Sequence, residues 1–558
     1  MALLDICIGA EDFREIRENS YCYVDKTSFI EEMLRTPPPK VSLVTRPRRF
    51  GKTLTMTMLQ EFFDIRQDSR AIFNGLAVSR NTALCEKWMN KYPAVFITLK
   101  GIEGRNYDFA LGQISDLLQN ICLEHAYLPE SEKLDSVVKE KLAALKRGEA
   151  SEREMASALM LLCRALKAHW EKPVILLIDE YDTPINCAEQ NGYYKDMISF
   201  MRSFLGAALK TNPSLKLAVL TGCLRIARES IFTGLNNFKC FGISDSYFAD
   251  KLGFTAREVK ELLDKADLSE RKAELKEWYD GYRFGREAEI YCPWDVLQYL
   301  SDLQYDPEAQ PQAYWNNTSS NSIVKTLINR AVRGDLRHKI EKLIAGGSVE
   351  EKLSEELTYD VVYKNERNIW TMLYLTGYLT RSSKQPADGQ TSLVIPNKAV
   401  RQIFMNTVFS WFEEKIAEDD LSCLAEALWN GDCAGVQKIL TQILYSTISY
   451  FDSAENYYHG FMTGLVRGAG LSIYSNDESG LGRPDIIIDD FPNGRAVIIE
   501  LKCAREHEEL EAKAEEALRQ IEERRYASGL SRYINKVINY GIAFWKKESC
   551  VKASETAR

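Results

Sequence analysis

A strand–loop–helix pattern near the N-terminus restricts the fold of this chain more than any other feature. The run at 41–45 is short, β-branched and apolar, which is typical of a buried strand. The loop at 46–53 follows, ends in Gly-Lys-Thr and leads into a helical pattern. Loop N–H groups, the positive end of a helix, an ammonium and a hydroxyl together bind phosphates and Mg²⁺. The pattern therefore predicts a nucleotide site that includes Gly51, Lys52 and Thr53.

The loop departs from the usual phosphate-loop pattern at its first position. G-x-x-x-x-G-K-[ST] has a glycine where this chain has Arg46. We therefore expect a loop that is built differently, with Pro47 stiffening it. Arg48 and Arg49 add positive charge, and ordinary surface salt bridges explain them as well as contact with a nucleotide does.

A second apolar run ends in two acids. Residues 173–180 read Pro-Val-Ile-Leu-Leu-Ile-Asp-Glu, and a buried parallel strand delivers Asp179 and Glu180 to the sheet edge where ligands bind. We expect Asp179 to hold Mg²⁺, directly or through water, and Glu180 to polarise an attacking water. A further strand at 217–221 leads to Arg225, a weaker candidate for stabilising a γ-phosphate. These features together favour ATP binding and leave hydrolysis open.

The pattern of predicted elements indicates an α/β protein with more than one domain. At 558 residues the chain exceeds what one core supports. Strands alternating with helices predict a P-loop NTPase domain with a mostly parallel sheet at 1–250. Residues 251–413 have amphipathic helical patterns, for which a winged-helix module is one interpretation. Residues 414–558 combine helices with three strand candidates and predict a small α/β domain.

A hairpin pattern near the C-terminus carries two acids and a lysine. Asp485 precedes one apolar run, and Glu500 and Lys502 lie within the next, two residues apart and so on one face of a strand. A lone acid at a strand end is often only surface charge, but an unpaired acid and lysine in an apolar strand are costly. Two carboxylates and a lysine can hold Mg²⁺ or Mn²⁺, activate water and face a phosphodiester. The hairpin therefore predicts a hydrolytic metal site.

The stretches Pro484-Asp485 and Glu500-Leu501-Lys502 resemble the PD-(D/E)XK nuclease superfamily. The resemblance implies a restriction-endonuclease-like α/β fold, metal binding by Asp485 and Glu500, and catalysis by both acids with Lys502. The superfamily often adds an acid from the preceding helix and a glutamine from the following one. Glu455 matches the first role, as a further metal ligand, and Gln520 matches the second.

The whole chain resembles the bacterial AAA-ATPase-like family that carries a C-terminal PD-(D/E)XK domain. Further stretches that carry the resemblance are 23–27, 179–182, 220–225, 278–282, 314–315 and 375–379. The Arg-Pro-Arg-Arg-Phe loop is similar to that family's own phosphate loop. The resemblance implies an ATP-binding protein with a nuclease fold, suspected of acting in DNA processing or defence. For the aromatic residues at 278–282 and 314–315, packing is a better interpretation than base stacking.

Composition restricts the compartment and the partners. A net charge of −9 gives no global attraction to phosphate, so nucleic acid must meet a local basic surface. Thirteen cysteines without a C-x-x-C pair indicate reduced thiols and a reducing compartment. No run reaches the roughly 18 apolar residues that span a bilayer, and no secretory signal is evident. We expect a cytoplasmic protein with no membrane partner.

Three functions fit these patterns. The preferred one is an ATP-regulated nuclease in which nucleotide state changes the placement of the C-terminal site, with DNA as the expected partner. The second is a signalling or scaffold NTPase whose C-terminal fold binds nucleic acid or protein without cutting. The third joins a slow ATPase switch to a protein-interaction module. The sequence leaves DNA against RNA, and the formation of a homo-oligomer, open.

Overall fold

The computed structural model describes residues 4–35, 38–224, 238–317, 324–325, 335–354, 365–386, 389–416, 421–447, 455–471, 473–474 and 484–557. The chain divides into two compact units. The first contains Met1–Thr318 with Glu350–Ala399, and the second contains Ser319–Val349 with Val400–Arg558. The expected domain limits at residues 250 and 413 stay a prediction.

The first unit is built on a parallel sheet. In the described part of the chain its five strands are β1 (Val41–Thr45), β2 (Ala94–Thr98), β3 (Val174–Asp179), β4 (Leu215–Gly222) and β5 (Phe238–Phe241). Their order is β2-β3-β4-β1-β5, and every neighbouring pair is parallel. This confirms the predicted fold class, and it brings the ends of β1, β3 and β4 to one edge. β5 has no counterpart in the prediction.

Helices alternate with these strands and supply the core. Their bounds are Phe13–Glu18, Ser28–Leu34, Lys52–Phe63, Arg70–Phe73, Thr82–Trp88, Tyr107–Glu124, Ser136–Arg147, Glu152–Trp170, Thr183–Gln190 and Tyr194–Leu209. The helix that follows β1 buries Met56, Leu59 and Phe62 in the same core cluster as Val44. Burial of this apolar face fixes the phosphate loop between β1 and the helix.

The rest of the first unit contains two small sheets and further helices. β6 (Phe254–Thr255), β7 (Tyr282–Phe284) and β8 (Glu287–Tyr291) pair antiparallel in the order β6-β8-β7. β9 (Val349–Glu351), β10 (Thr380–Arg381) and β11 (Thr391–Val394) follow. The helices are Ala256–Ala266, Lys272–Tyr279, Pro293–Tyr305 and Glu366–Thr376. The helix Glu366–Thr376 leads into the antiparallel pair β10–β11, and the winged-helix interpretation stays a prediction.

The second unit contains a mixed sheet flanked by helices. Within the described residues its strands are β12 (Ile473–Tyr474), β13 (Ile486–Asp490), β14 (Arg495–Cys503), β15 (Lys536–Trp545) and β16 (Glu548–Ala557), in that spatial order. Its helices, including one that begins at the unit boundary, are Asp335–Ile344, Lys398–Ile416, Ser422–Asn430, Cys433–Thr447, Glu455–Gly468 and Leu510–Glu523. β13 and β14 form the expected hairpin, and β14 runs parallel to β15.

Two general properties of the chain follow. All thirteen cysteines lie in the described ranges and are free thiols, as the sequence predicts. Across those same ranges, no helix combines the length and the apolar character that crossing a membrane requires.

Candidate functional site

The phosphate loop turns directly into the helix Lys52–Phe63. Gly51 has φ 80°, in the left-handed region, and so allows the sharp turn that starts the helix. The Lys52 side chain is buried, and its Nζ donates to the carbonyl oxygens of Arg46 at 3.2 Å and Pro47 at 3.0 Å. Lys52 Nζ also lies 3.6 Å from Cys223 Sγ. The ammonium is thus held inside the loop that a phosphate would occupy.

Asp179 links the end of β3 to β4 and to the helix that follows the phosphate loop. It is the last residue of β3 and is fully buried. Its Oδ2 accepts a 2.8 Å hydrogen bond from Thr53 Oγ1, and its Oδ1 accepts one from Thr221 Oγ1. Burial raises the pKa of Asp179, and the two hydroxyl hydrogen bonds oppose that rise. The structure therefore brings Thr53 and Asp179 together, as a shared Mg²⁺ requires.

The residues after Asp179 leave the strand abruptly. Glu180 has φ 50°, a strained conformation for a residue with a side chain, and its Oε2 accepts a 3.2 Å hydrogen bond from Thr183 Oγ1. Asp182 is buried, and its Oδ2 accepts from the N–H groups of Cys223 at 3.0 Å and Leu224 at 2.9 Å. Asp182 therefore anchors the segment that leads to Arg225. Arg225 itself lies outside the described residues.

Asp182 and Thr221 belong to this site although neither was predicted to act in it. Both side chains lie at the edge where Asp179 and Lys52 meet, because β3 and β4 are adjacent and parallel. The one sequence signal for Asp182 is its place in the stretch 179–182. A polar residue that ends a buried strand, as Thr221 does, is the corresponding signal on β4.

Arg46 explains why this loop lacks its first glycine. The Arg46 side chain is fully buried, and its guanidinium donates to backbone carbonyls of Thr45 at 2.8 Å, Gly242 at 2.9 Å and Phe248 at 2.9 Å. Burial lowers the pKa of Arg46 to about 10, which keeps the group charged at neutral pH. The arginine thus stabilises the chain that follows β5 rather than facing a phosphate.

Restoring the usual glycine is expected to harm this protein. Arg46→Gly removes the guanidinium that donates to these buried backbone carbonyl groups, so we expect a loss of about 3 kcal/mol in the free energy of unfolding. Urea denaturation followed by circular dichroism measures the change. Arg48→Gly is the matched control, because Arg48 is exposed in the same loop, and we expect it to cost less than about 1 kcal/mol. Equal effects in the two variants would contradict the structural role of Arg46.

The other two loop arginines have different surroundings. The Arg49 guanidinium lies 4.2 Å from the centre of the Trp294 ring, a cation–π contact. Arg48 is exposed. Burial raises the pKa of Cys223, and the charges of Lys52 and, more weakly, Arg48 oppose the rise. The Arg49 guanidinium is therefore directed to Trp294.

In the second unit, the hairpin β13–β14 brings the predicted acids to one place. Ile486 pairs with Ile499, so Asp485 lies across from Glu500. Asp485 Oδ2 accepts a 2.8 Å hydrogen bond from the N–H of Leu501. Glu500 is 3% exposed, and Lys502 Nζ lies 3.6 Å from its Oε1. The two acids and the lysine therefore converge on one face, as the two-residue spacing predicts.

Gln520 joins this group from the helix Leu510–Glu523. Its Nε2 donates to Glu500 Oε1 and lies 3.4 Å from the hydroxyl of Tyr526. This helix can pack closely on the sheet because Gly541, which pairs with Glu500 from the neighbouring strand β15, has no side chain. A Cβ atom on Gly541 would lie 2.2 Å from the carbonyl oxygen of Ala514 in the helix. This close approach sets the position of Gln520.

The preceding helix contributes differently. Glu455 begins the helix Glu455–Gly468, and its side chain lies outside the described residues. His459, one turn later, places its Nε2 2.9 Å from the carbonyl oxygen of Asp485. The imidazole therefore contacts the backbone at the start of β13 and ties this helix to the hairpin.

The donor sets fit the groups that the sequence predicts. Asp485 and Glu500 offer the carboxylate oxygens that Mg²⁺ or Mn²⁺ prefers, beside a lysine that can face a phosphate. Thr53 and Asp179 offer a hydroxyl and a carboxylate beside Lys52, the set that holds a nucleotide with Mg²⁺. Within the described ranges, no three His, Cys, Asp or Glu side chains cluster as metal ligands.

Comparison with known proteins identifies both regions. A family model described as "Predicted AAA-ATPase" matches residues 7–232, and one described as "PD-(D/E)XK nuclease superfamily" matches residues 453–554. The chain carries an AAA-ATPase-like domain and a PD-(D/E)XK nuclease superfamily domain. The AAA-ATPase-like domain includes the phosphate loop and Asp179, and the nuclease superfamily domain includes the β13–β14 hairpin and Gln520. The resemblance seen in the sequence is thereby confirmed.

A known protein is similar to this chain across both domains. A protein of Azotobacter chroococcum mcd 1, named "Uncharacterized protein in vnfD 5'region", is 23% identical over 533 residues. The match covers 93% of this chain and 92% of that protein. The similarity therefore extends over nearly the whole of both chains.

Proposed function

We propose that this protein is an ATP-regulated, metal-dependent nuclease that hydrolyses phosphodiester bonds in nucleic acid, with DNA as the preferred substrate. The observation that carries the proposal is the convergence of Asp485, Glu500, Lys502 and Gln520 on one hairpin of the nuclease superfamily domain. The protein's thirteen free thiols suit a reducing compartment, so we place the reaction in the cytoplasm.

In this proposal the two acids, the lysine and the glutamine have different roles. Asp485 and Glu500 would hold the divalent ion, which when bound would supply an activated water and neutralise charge on the phosphate. Lys502 orients the attacking water and stabilises the negative charge that develops on the phosphate oxygens. The water oxygen bonds to phosphorus while the bond to the leaving sugar oxygen breaks, and that oxygen takes up a proton. Gln520 keeps Glu500 in position through its amide hydrogen bond.

The AAA-ATPase-like domain supplies the regulation. Lys52 would exchange its two loop carbonyls for phosphate oxygens, and Thr53 with Asp179 would hold Mg²⁺. Glu180 would polarise water if the nucleotide is hydrolysed. Since Asp182 fixes the backbone that leads to Arg225, a change at the phosphates would reach that segment through the end of β4. The proposed nuclease activity then depends on nucleotide state.

A cleavage panel tests the proposal. Single-stranded and duplex DNA and RNA, and plasmid, are incubated with the protein and Mg²⁺ or Mn²⁺, with and without ATP. We expect metal-dependent cutting whose rate changes when ATP is added, and no cutting in EDTA. An Asp485→Asn protein purified in the same way controls for contaminating nucleases. Binding of nucleic acid without cutting under every condition would favour the scaffold function, and the absence of both would favour a protein-interaction module.

A further inference from the structure

The loop between the helix Leu510–Glu523 and β15 is a local basic surface on an acidic protein. Residues 524–535, here called the arginine loop, contain three arginines and no acid, while the whole chain has a net charge of −9. The arginines are Arg524, Arg525 and Arg532, and all three are exposed. Lys536, the next cation, pairs with Glu555 at 3.1 Å. Positive charge on this face therefore comes from the arginines of the loop.

Two exposed aromatic rings accompany these charges. Tyr533 is 63% exposed in the arginine loop, and Phe491 is 50% exposed in the turn between β13 and β14. The two segments are adjacent, because Gly494 O accepts hydrogen bonds from Asn535 N at 2.7 Å and Lys536 N at 3.2 Å. The Arg532 guanidinium lies 5.2 Å from the centre of the Tyr533 ring. Exposed rings beside cations are the parts from which proteins build sites for unpaired bases.

The arginine loop also begins at the candidate nuclease site. Tyr526 lies in the loop, and its hydroxyl is 3.4 Å from Nε2 of Gln520, which donates to Glu500. From there the chain runs to Tyr533, beside the turn at the far end of β14. Arg495 and Glu500 are five residues apart on that strand, or about 17 Å at about 3.3 Å per residue. The basic surface therefore extends from the site along the length of the hairpin.

We propose that the arginine loop and Phe491 form a binding surface for single-stranded nucleic acid that leads into the nuclease hairpin. Proteins bind single strands by combining cations that follow the phosphates with aromatic rings on which unpaired bases stack. The bases of a duplex are already stacked on each other and cannot cover Tyr533 and Phe491. This inference rests on the proposed nuclease function and adds its substrate class. Acids adjoin both ends of this surface: Glu522 and Glu523 end the preceding helix, where Glu522 contacts the hydroxyl of Ser554. Asp489 and Asp490 precede Phe491, and Asp490 pairs with Arg495 at 2.8 Å.

Fluorescence anisotropy in EDTA measures binding without cleavage. The probe is a short fluorescein-labelled oligodeoxynucleotide, alone or annealed to its complement, with the full-length protein. We expect the single strand to bind at least about 10-fold more tightly than the duplex, and Tyr533→Ala to weaken single-strand binding about 10-fold. Tyr533→Phe should bind normally. Tyr305→Ala is the matched control, because Tyr305 is 90% exposed in the first unit, and its affinity should equal that of the unchanged protein.

A second variant tests the charges independently of the ring. For a single strand, each lost phosphate contact lowers the slope of log K against log salt by about 0.7, and we expect this change in Arg532→Gln. Unchanged affinity in Tyr533→Ala together with an unchanged slope in Arg532→Gln would overturn the proposal, as would equal affinity for duplex. If binding follows the expectation but metal never produces cutting, only the nuclease function fails. If cutting occurs and neither variant alters its KM, only the arginine-loop proposal fails.

Discussion

Asp485→Ala is expected to reduce metal-dependent cleavage by on the order of 10³-fold while ATP affinity stays unchanged. Asp485 lies across from Glu500 on the hairpin, and its carboxylate is fixed by the N–H of Leu501. Removing one of two carboxylates weakens the hold on the ion and leaves the charge that develops on the phosphate less well neutralised. Initial rates on the best substrate of the cleavage panel, at saturating Mg²⁺ or Mn²⁺, measure the loss.

Two further variants make this result specific. Among the described residues of the hairpin, the Lys502 ammonium is the cation nearest to Glu500. Lys502→Ala should therefore reduce cutting to a similar extent. Asp489→Ala is the matched control: Asp489 lies in β13, four residues after Asp485, and pairs with Ala496 rather than lying across from Glu500. Cutting that persists in both Asp485→Ala and Lys502→Ala would refute the site assignment, whatever the control does.

Lys52→Ala is expected to weaken ATP binding between about 30-fold and about 150-fold. Loss of a charged hydrogen-bond donor to phosphate corresponds to about 2 to 3 kcal/mol, and about 1.4 kcal/mol is a factor of ten. The nuclease hairpin belongs to another domain, so nucleic-acid binding in EDTA should remain. Isothermal titration calorimetry with Mg²⁺ and ATP measures the affinity.

The control for Lys52 lies at the opposite end of β1. Lys40 precedes β1, at the end away from the phosphate loop, and its Nζ donates to the carbonyl oxygen of Asn212 at 3.0 Å. Lys40→Ala removes one ammonium without touching the loop and should bind ATP normally. Because Lys52 is buried against the carbonyls of Arg46 and Pro47, the melting temperature of each variant is compared first. A folded Lys52→Ala protein with unchanged ATP affinity would remove the phosphate-loop assignment.

Local sequence determined much of the first sheet and of the nuclease hairpin. The apolar runs that end at Thr45 and Asp179 became β1 and β3, because strands buried on both faces must be continuously apolar. The spacing of Glu500 and Lys502 predicted that they share a face, since side chains alternate along a strand. Such features depend on neighbours a few residues away, so they can be read directly from the sequence.

Strands that form only by pairing with a neighbouring strand were not predicted from the sequence. β5 is short, and β16 is mostly polar, with the sequence Glu-Ser-Cys-Val-Lys-Ala-Ser-Glu-Thr-Ala. β16 forms because it pairs along the full length of β15, from Trp545 opposite Glu548 to Lys536 opposite Ala557. Backbone pairing with an existing sheet stabilises such a segment without an apolar pattern of its own.

The sequence by itself determined which residue types could bind phosphate and metal, and only the tertiary structure decided where the other polar residues act. The sequence predicted only that the loop is built differently at Arg46, and the structure shows that Arg46 binds the carbonyl of Gly242, 196 residues away. Asp182 gained its role from the N–H groups of Cys223 and Leu224. A buried charge must find hydrogen-bond partners, and when these come from distant segments no local pattern encodes them.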